Sequence, residues 1–523
     1  MNSQRHFSQR RRVAFRPRLE QLETRDCPSC TVFQRAETLV ILGDREANHI
    51  EIAEIREGGL GEEGGGISVV CDGSVIQTFT GVRQIDLRTL GGDDEVTFVC
   101  PSDPSTFLLR ADLGAGNDRL NISGFDPQPE PPLRALSFDI LAGAGDDEVR
   151  FDLGAAEING RFMIFANGGA GNDRMEVAAG NPCVLPESEM QIGLLGGAGD
   201  DVIEASLTGL MNQGRFVLEA NGGAGNDRME VAAGNPCNFP ESEMQIGLLG
   251  GAGDDVIGAS LTDLVNYGRF VLEANGGTGN DRLEIVAIGK PCWLPESETQ
   301  IKLNGDAGDD VIGASLTDLV NYGLFVLEAS GGAGNDRMEV AVGDPCCFPE
   351  SVTQIKLSGD AGDDVIEASL TGLMNEGRFL LEASGGAGND QINGFFVPCI
   401  LPGSETQIKL SGDAGDDVID ASLTELMNQG RSVLEADGGA GNDRIAARVE
   451  LDEESRGGPH IRVLGGWGDD DLTLALYGVD VESLLTPLVD GGRGRDVAYV
   501  TRNVRVANCE EVFFLDDEGG LDG

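Results

Sequence analysis

Along most of this chain apolar and polar residues alternate with a period of two, in short runs that enter and leave a glycine-rich turn. In Arg215-Phe216-Val217-Leu218-Glu219-Ala220-Asn221 the residues Phe216, Leu218 and Ala220 fall on one face. After the turn, Met229 and Val231 alternate with Arg228 and Glu230. A second version of the unit puts Ile301 and Leu303 opposite Gln300 and Lys302, with Ile312 continuing the apolar row beyond its turn. Alternation of this kind predicts half-buried β-strands. Each unit therefore reads as strand, turn, strand and return loop.

The turn is Gly-Gly-Ala-Gly-Asn-Asp, Gly-Gly-Ala-Gly-Asp-Asp or a close variant. It ends at Asp173, Asp201, Asp227, Asp255, Asp281, Asp310, Asp336, Asp364, Asp390, Asp417, Asp443 and Asp470, with looser copies ending at Asp94, Asp118, Asp147 and Asp496. Successive aspartates are separated by 24 to 29 residues. One supersecondary unit has been copied, so the chain reads as an array of stacked repeats rather than a globular enzyme. The predicted fold is all-β, a parallel β-solenoid of the β-roll or β-helix kind with rungs of about 27 residues. The alternative is a β-propeller or hairpin array, in which each glycine turn would close an antiparallel hairpin. Sixteen solenoid rungs would make a rod on the order of 75 Å long.

Four regions follow from the pattern. Residues 1–35 form a basic leader, expected to be disordered, with Arg5, Arg10, Arg11, Arg12, Arg16, Arg18 and Arg25. Residues 36–160 carry divergent rungs, residues 161–447 near-identical double repeats with a period of about 54, and residues 448–523 the C-terminal rungs and cap. Asp173 to Cys183 is repeated without change at Asp227 to Cys237, and Pro186 to Ile203 at Pro240 to Ile257. The two halves of the double repeat differ in their return loops. One is marked by Pro and Cys, as in Gly180 to Glu189. In the other, Ser260 to Gly268, a Ser N-cap and closing Gly suggest a single helical turn. The Pro-rich stretch Pro127 to Pro132 reads as a loop inserted on one rung.

Composition sharpens this picture. Aromatic residues are 5% of the chain and apolar residues 40%, which predicts a thin aliphatic core rather than disorder. Glycine at 77 of 523 residues has no Gly-X-Y period, so collagen is excluded. The formal net charge of -52 excludes a general attraction to nucleic acid or anionic lipid. Within a compact fold it also demands relief, most simply by bound cations. A solvated acidic surface is the other explanation. No segment approaches a membrane span, and the leader lacks the apolar run of a secretory signal.

The 11 cysteines are an odd number. Cys183, Cys237, Cys292, Cys346 and Cys399 recur every 53 to 55 residues, two rungs apart; Cys399 follows Pro398 as Cys183 follows Pro182. Two rungs span roughly 9 to 10 Å, whereas a disulfide needs Cα atoms within about 7 Å. They read as buried thiols in a loop, and no disulfide framework is expected. Cys27 and Cys30 form a lone CxxC without the partners of a zinc site, and Cys346-Cys347 is an isolated pair.

The turns carry the candidate chemistry. Glycine at positions one, two and four allows positive φ and carbonyls turned inward. Aspartate at position six adds a carboxylate, with Asn or Asp at position five. Position two is also Asp in the turns ending at Asp310, Asp364 and Asp417, namely Asp306, Asp360 and Asp413. Calcium takes 6 to 8 hard oxygens at about 2.3 to 2.6 Å, and stacked turns can deliver them from neighbouring rungs. Gly222-Gly223-Ala224-Gly225-Asn226-Asp227-Arg228-Met229-Glu230 resembles position by position the RTX, or haemolysin-type, calcium-binding nonapeptide GGxGxDxUx. The resemblance implies Ca2+ along one edge of a secreted solenoid, with Asp118, Asp147 and the twelve aspartates from Asp173 to Asp470 as metal ligands. In the family the nonapeptides run in tandem, two per coil; here one is followed by about eighteen other residues. The turn ending at Asp496 has Arg495 at position five and reads as a weak or empty end site. At the N-terminus, Leu19-Glu20-Gln21-Leu22-Glu23-Thr24-Arg25 resembles the LExLExR leader of large bacterial surface and secreted proteins.

Catalysis finds little support. The three histidines, His6, His49 and His460, are isolated, and no HExxH, GxSxG or P-loop occurs. The reading is a calcium-binding structural or adhesive repeat protein, not an enzyme. It is expected to be extracellular or at the cell surface, with calcium ions and cell-surface or matrix components as partners. The alternative is a polysaccharide-acting enzyme built on a β-helix.

Overall fold

The computed structural model describes residues 30–515 apart from short stretches, the longest being 56–65, 126–132 and 479–486. Most of the basic leader, Cys27 and the whole Pro-rich stretch thus lie outside the described residues.

The two strands that flank a turn belong to different sheets. Arg215–Ala224, before its turn, pairs in parallel with Glu189–Ala198 and Glu243–Ala252 of the neighbouring rungs. Arg228–Gly234, after the turn, pairs in parallel with Val202–Ser206 and Val256–Thr262. Each turn is therefore a corner of a parallel β-solenoid, and the hairpin and propeller alternatives fall. Among the described residues the secondary structure is all β, with no helix.

The return segments depart from expectation. The Cys-marked segment is a short strand, Cys237–Asn238, which pairs in parallel with Leu210–Asn212 and Val265–Asn266. In the expected helical segment, strand Val256–Thr262 is followed by Asp263, with φ of 52°, and then by the short strand Val265–Asn266, and none of the described residues there is helical. The ladder of neighbouring strands supplies backbone partners that an isolated helical turn would lack, so stacking overrides the local capping signal. Cys399 lies in strand Gln391–Ile400 of the post-turn sheet and is half-buried, with its Sγ 3.5 Å from Sδ of Met427, rather than in a buried loop.

Alternation fills the interior as the sequence predicts. Phe216, Leu218 and Ala220 are buried from one sheet, Met229 and Val231 from the other. The 54-residue period has a packing basis. The inward row before the turn alternates Leu194, Ala220, Leu248, Ala274, Leu303. The row after the turn alternates in the opposite phase, Ala205, Val231, Ala259, Ile285, Ala314. A rung that is large on one sheet is small on the other, which keeps the core at even density. Gly394 stands where this second row calls for a large residue, and the ring of Phe396 fills the space a side chain there would take.

The N-terminal end is closed differently. Thr31–Arg35 pairs antiparallel with Thr38–Leu42, and His49–Ile55, Gly66–Cys71 and Ser74–Thr80 form an antiparallel meander before parallel stacking takes over. Such strands cover the edge that a solenoid otherwise exposes. Cys30 and Cys71 form a disulfide across this cap, against the expectation of none. Both cysteines lie in the irregular cap, where the chain doubles back and the spacing of the repeat ladder does not apply.

Candidate metal centre

At the corner between the two sheets, the position-six aspartates stack directly over one another. Asp118, Asp147, Asp173, Asp201, Asp227, Asp255, Asp281, Asp310, Asp336, Asp364, Asp390, Asp417, Asp443 and Asp470 are all buried, as are Asp94 and Asp496 at the two ends of the row. The backbone N–H of each donates to Oδ1 of the next. Asp201 N–H reaches Asp227 Oδ1 at 2.7 Å, and Asp227 N–H reaches Asp255 Oδ1 at 2.7 Å. The ladder opens at Asn48, whose N–H donates to Asp94 Oδ1, and closes at Asp496, whose N–H donates to Glu510 Oε2.

The second oxygen is different. Oδ2 of every one of these sixteen aspartates, from Asp94 to Asp496, is buried without a hydrogen-bond partner among the described residues. A buried carboxylate oxygen left unpartnered is costly. The backbone closes around it: a side chain at Gly196 would overlap Oδ2 of Asp201 and the carbonyl oxygen of Gly222 on the next rung, and one at Gly250 would overlap Oδ2 of Asp255 and the carbonyl of Gly276. From Gly168 onward position one is glycine, where a Cβ would overlap Oδ2 of the turn's own aspartate; in the first three turns Thr89, Leu113 and Ala142 stand there. Positions two and four take positive φ, 111° at Gly223 and 139° at Gly225, which glycine adopts at least cost; at position two Asp306, Asp360 and Asp413 adopt it as well, with φ of 71°, 72° and 70°.

Burial, opposed by the N–H donor of the preceding rung and reinforced by neighbouring carboxylates, pushes Asp147, Asp201, Asp255 and Asp443 up to about 7. The same causes, burial first, raise Asp118, Asp281, Asp336, Asp364, Asp417 and Asp470 to about 6. Asp173, Asp227, Asp310 and Asp390 are also raised. The row is thus poorly suited to holding its charge alone. A hard divalent cation beside Oδ2, with nearby backbone carbonyls, would compensate it.

Two sequence expectations about the turn change. Position five does not add a carboxylate to this cradle. It builds a second, exposed ladder in which the N–H of Asn226 donates to Oδ1 of Asp200 and the N–H of Asp254 donates to Oδ1 of Asn226, both at 2.8 Å. This ladder runs in the opposite direction to the inner one. It alternates strictly, Asp200, Asn226, Asp254, Asn280, Asp309, Asn335, so no two carboxylates are adjacent within it. The alternation was readable in the sequence; its electrostatic use needed the register. Position two also points away from the cradle. Asp360 is exposed, with φ of 72°, and accepts from the hydroxyls of Ser330 and Ser358.

Asp94, Asp496, Asn48 and Glu510 belong to the ladder and were not among the expected ligands. Asp94 and Asp496 carry the turn signal in worn form. Nothing local marks Glu510, which reaches the row from the C-terminal strands. At that end Arg495 keeps its place in the outer ladder, its N–H donating to Asp469 Oδ1, and its guanidinium pairs with Glu511 at 2.7 Å.

Comparison with curated proteins returns no match for the chain. The family model described as RTX calcium-binding nonapeptide repeat (4 copies) matches residues 165–182, 220–236 and 383–395, which contain the turns ending at Asp173, Asp227 and Asp390. No helix among the described residues is long and apolar enough to cross a membrane. The three matched segments are thus similar to RTX calcium-binding nonapeptide repeats, and each sets its turn, with the orphaned Oδ2 of its aspartate, at a corner of the parallel β-solenoid.

Proposed function

We propose that the protein is a calcium-dependent structural or adhesive rod of the cell surface or extracellular space. Calcium ions along the turn edge complete its fold. The observation that carries this reading is the unbroken row of buried Oδ2 atoms from Asp94 to Asp496. Each position-six aspartate would hold metal through that oxygen while its Oδ1 stays bonded to the backbone. Bound calcium would supply positive charge against stacked carboxylates, and its binding free energy would become folding free energy.

Two further features support an exported protein. The Cys30–Cys71 disulfide suits an oxidising compartment. The net charge of -52 suits an environment where calcium is abundant, because the chain would repel itself open where calcium is scarce. The test is far-UV circular dichroism of the chelator-treated protein during calcium titration, with magnesium as control. A calcium-specific gain of β signal is expected. A full β spectrum in chelator, unchanged by calcium, would overturn the reading.

A further inference from the structure

A trough of about 940 Å3 runs along the outer face of the pre-turn sheet, crossing strands from Leu108 to Asn304. It reaches Asn221 and Asn275, the residues just before their turns, and two glycines form part of its floor. Gly193 and Gly247 sit mid-strand in the outward row Phe165, Gly193, Glu219, Gly247, Glu273. Glycine inside a strand costs stability relative to alanine, and it often marks close approach of a ligand or another chain. Both glycines lie outside the positive-φ set. At Gly247 a Cβ would meet only Leu218 O at 3.9 Å and Glu219 Cγ at 4.0 Å, ordinary contacts, so neither usual structural reason applies there; at Gly193 a Cβ would come within 3.2 Å of the Phe165 ring, which leans over that glycine.

The later repeats differ in this row. In the same register Lys302, Lys356 and Lys409 replace the glycines, and pair with Glu273, Glu328 and Glu382 at 3.4, 3.5 and 2.8 Å. The groove on their face is smaller, about 570 Å3, and is lined by these lysines, Glu328 and Glu382 with Ser330, Ser358 and Ser384. Its walls mix Gln191, Asn221 and Asn275 with the exposed apolar side chains of Phe165 and Leu249, and Oδ1 of Asn275 is buried with no hydrogen-bond partner among the described residues.

We infer that this trough binds an extended, uncharged β-1,4-linked polysaccharide laid along the solenoid axis. Its groups repeat every second rung, a translation of about 10 Å. A ribbon of β-1,4-linked pyranoses turns alternate rings over and repeats every second sugar, over a matching length. An extended peptide repeats every two residues over about 6.8 Å and falls out of step. The amides and Glu219 can bond hydroxyls, and Phe165 and Leu249 can cover the apolar faces of sugar rings. Acidic polymers are disfavoured, since the protein's net charge is -52 and Arg110 and Lys302 in the trough are paired with Asp139 and Glu273. The inference deepens the adhesive reading above by naming the class of partner.

The test is isothermal titration calorimetry of the full chain in calcium with cellohexaose and chitohexaose, using maltohexaose and polygalacturonate as controls. Either β-1,4 hexamer should bind in preference to both controls. The double variant Gly193→Lys, Gly247→Lys, which copies the later repeats, should weaken binding at least tenfold while keeping the calcium-loaded β spectrum. Leu249→Ser, a surface change, gives a second variant with the same expected direction. Absence of binding by both hexamers, unchanged affinity in both variants, or preference for a control would overturn the inference. Calcium-dependent folding without hexamer binding would sink the trough alone. Hexamer binding by a protein folded in chelator would sink the calcium reading alone.

Discussion

The backbone N–H of Asp227 donates to Oδ1 of Asp255 at 2.7 Å, while Oδ2 of Asp255 is buried with no partner among the described residues. The two oxygens of one carboxylate thus have separate tasks, one closing the rung-to-rung ladder and one facing the glycine cradle. Asp255→Asn separates them. The amide oxygen can keep the ladder bond, and the buried charge disappears. In chelator this variant should be as stable as the parent or more so, because an uncompensated buried charge is costly. In calcium it should need several-fold more ion to reach the folded signal, read from titration midpoints. Equal midpoints would remove Asp255 from the site.

Acid should act oppositely on the two states of the protein. The folded carboxyls of Asp147, Asp201, Asp255 and Asp443 titrate near 7, well above the ordinary value near 3.8, so the calcium-free fold takes up protons. Their contribution therefore opposes folding above pH 7 and is relieved as pH falls toward 4. Chelator-treated protein should gain β signal between about pH 7 and 5. Calcium-loaded protein should lose affinity over the same interval, since protons and metal compete for the same oxygens. Calcium affinity independent of pH in this window would contradict the assignment.

Much of this was legible in the sequence. Period-two runs such as Phe216, Leu218 and Ala220 identify the inward face, and the spacing of the turn aspartates identifies the rung. Parallel stacking rather than hairpins was a weighing of alternatives, because a glycine turn serves either. The roles of the turn positions were harder to see. Position five alternates between Asn and Asp along the chain, and only the register shows Asn226 bonded between Asp200 and Asp254. The Cys30–Cys71 bridge was out of reach for a related reason: neither residue obeys the repeat on which the spacing estimate rested.

The bridge itself gives a prediction. It closes 41 residues of chain across the antiparallel cap. Removing a disulfide over such a loop typically costs about 2 to 4 kcal/mol. Cys71→Ser should therefore speed hydrogen exchange in Thr31–Arg35, Thr38–Leu42 and Gly66–Cys71 while leaving rungs beyond Asp201 unchanged, because solenoid stability is local to neighbouring repeats. Uniform acceleration along the chain would show that the cap controls the whole rod.

Core volume can be tested at the rung where Gly394 interrupts the alternation. Phe396 is fully buried over the site of Gly394. Phe396→Ala should cost about 3 to 5 kcal/mol through lost burial and the cavity left behind. Gly394→Val in the same chain should recover part of it by restoring the side chain that this row carries two rungs earlier, at Val340. Stability measured in saturating calcium would settle this, and an additive double variant would show that the two positions do not share one space.

Anomalous diffraction from crystals grown in calcium tests the central claim most directly. The account predicts a column of calcium peaks at the turn corner, within about 2.3 to 2.6 Å of Oδ2 on the position-six aspartates. A calcium-saturated crystal with no peaks beside those oxygens, or with peaks only on the outer ladder of Asp200, Asp254 and Asp309, would contradict it.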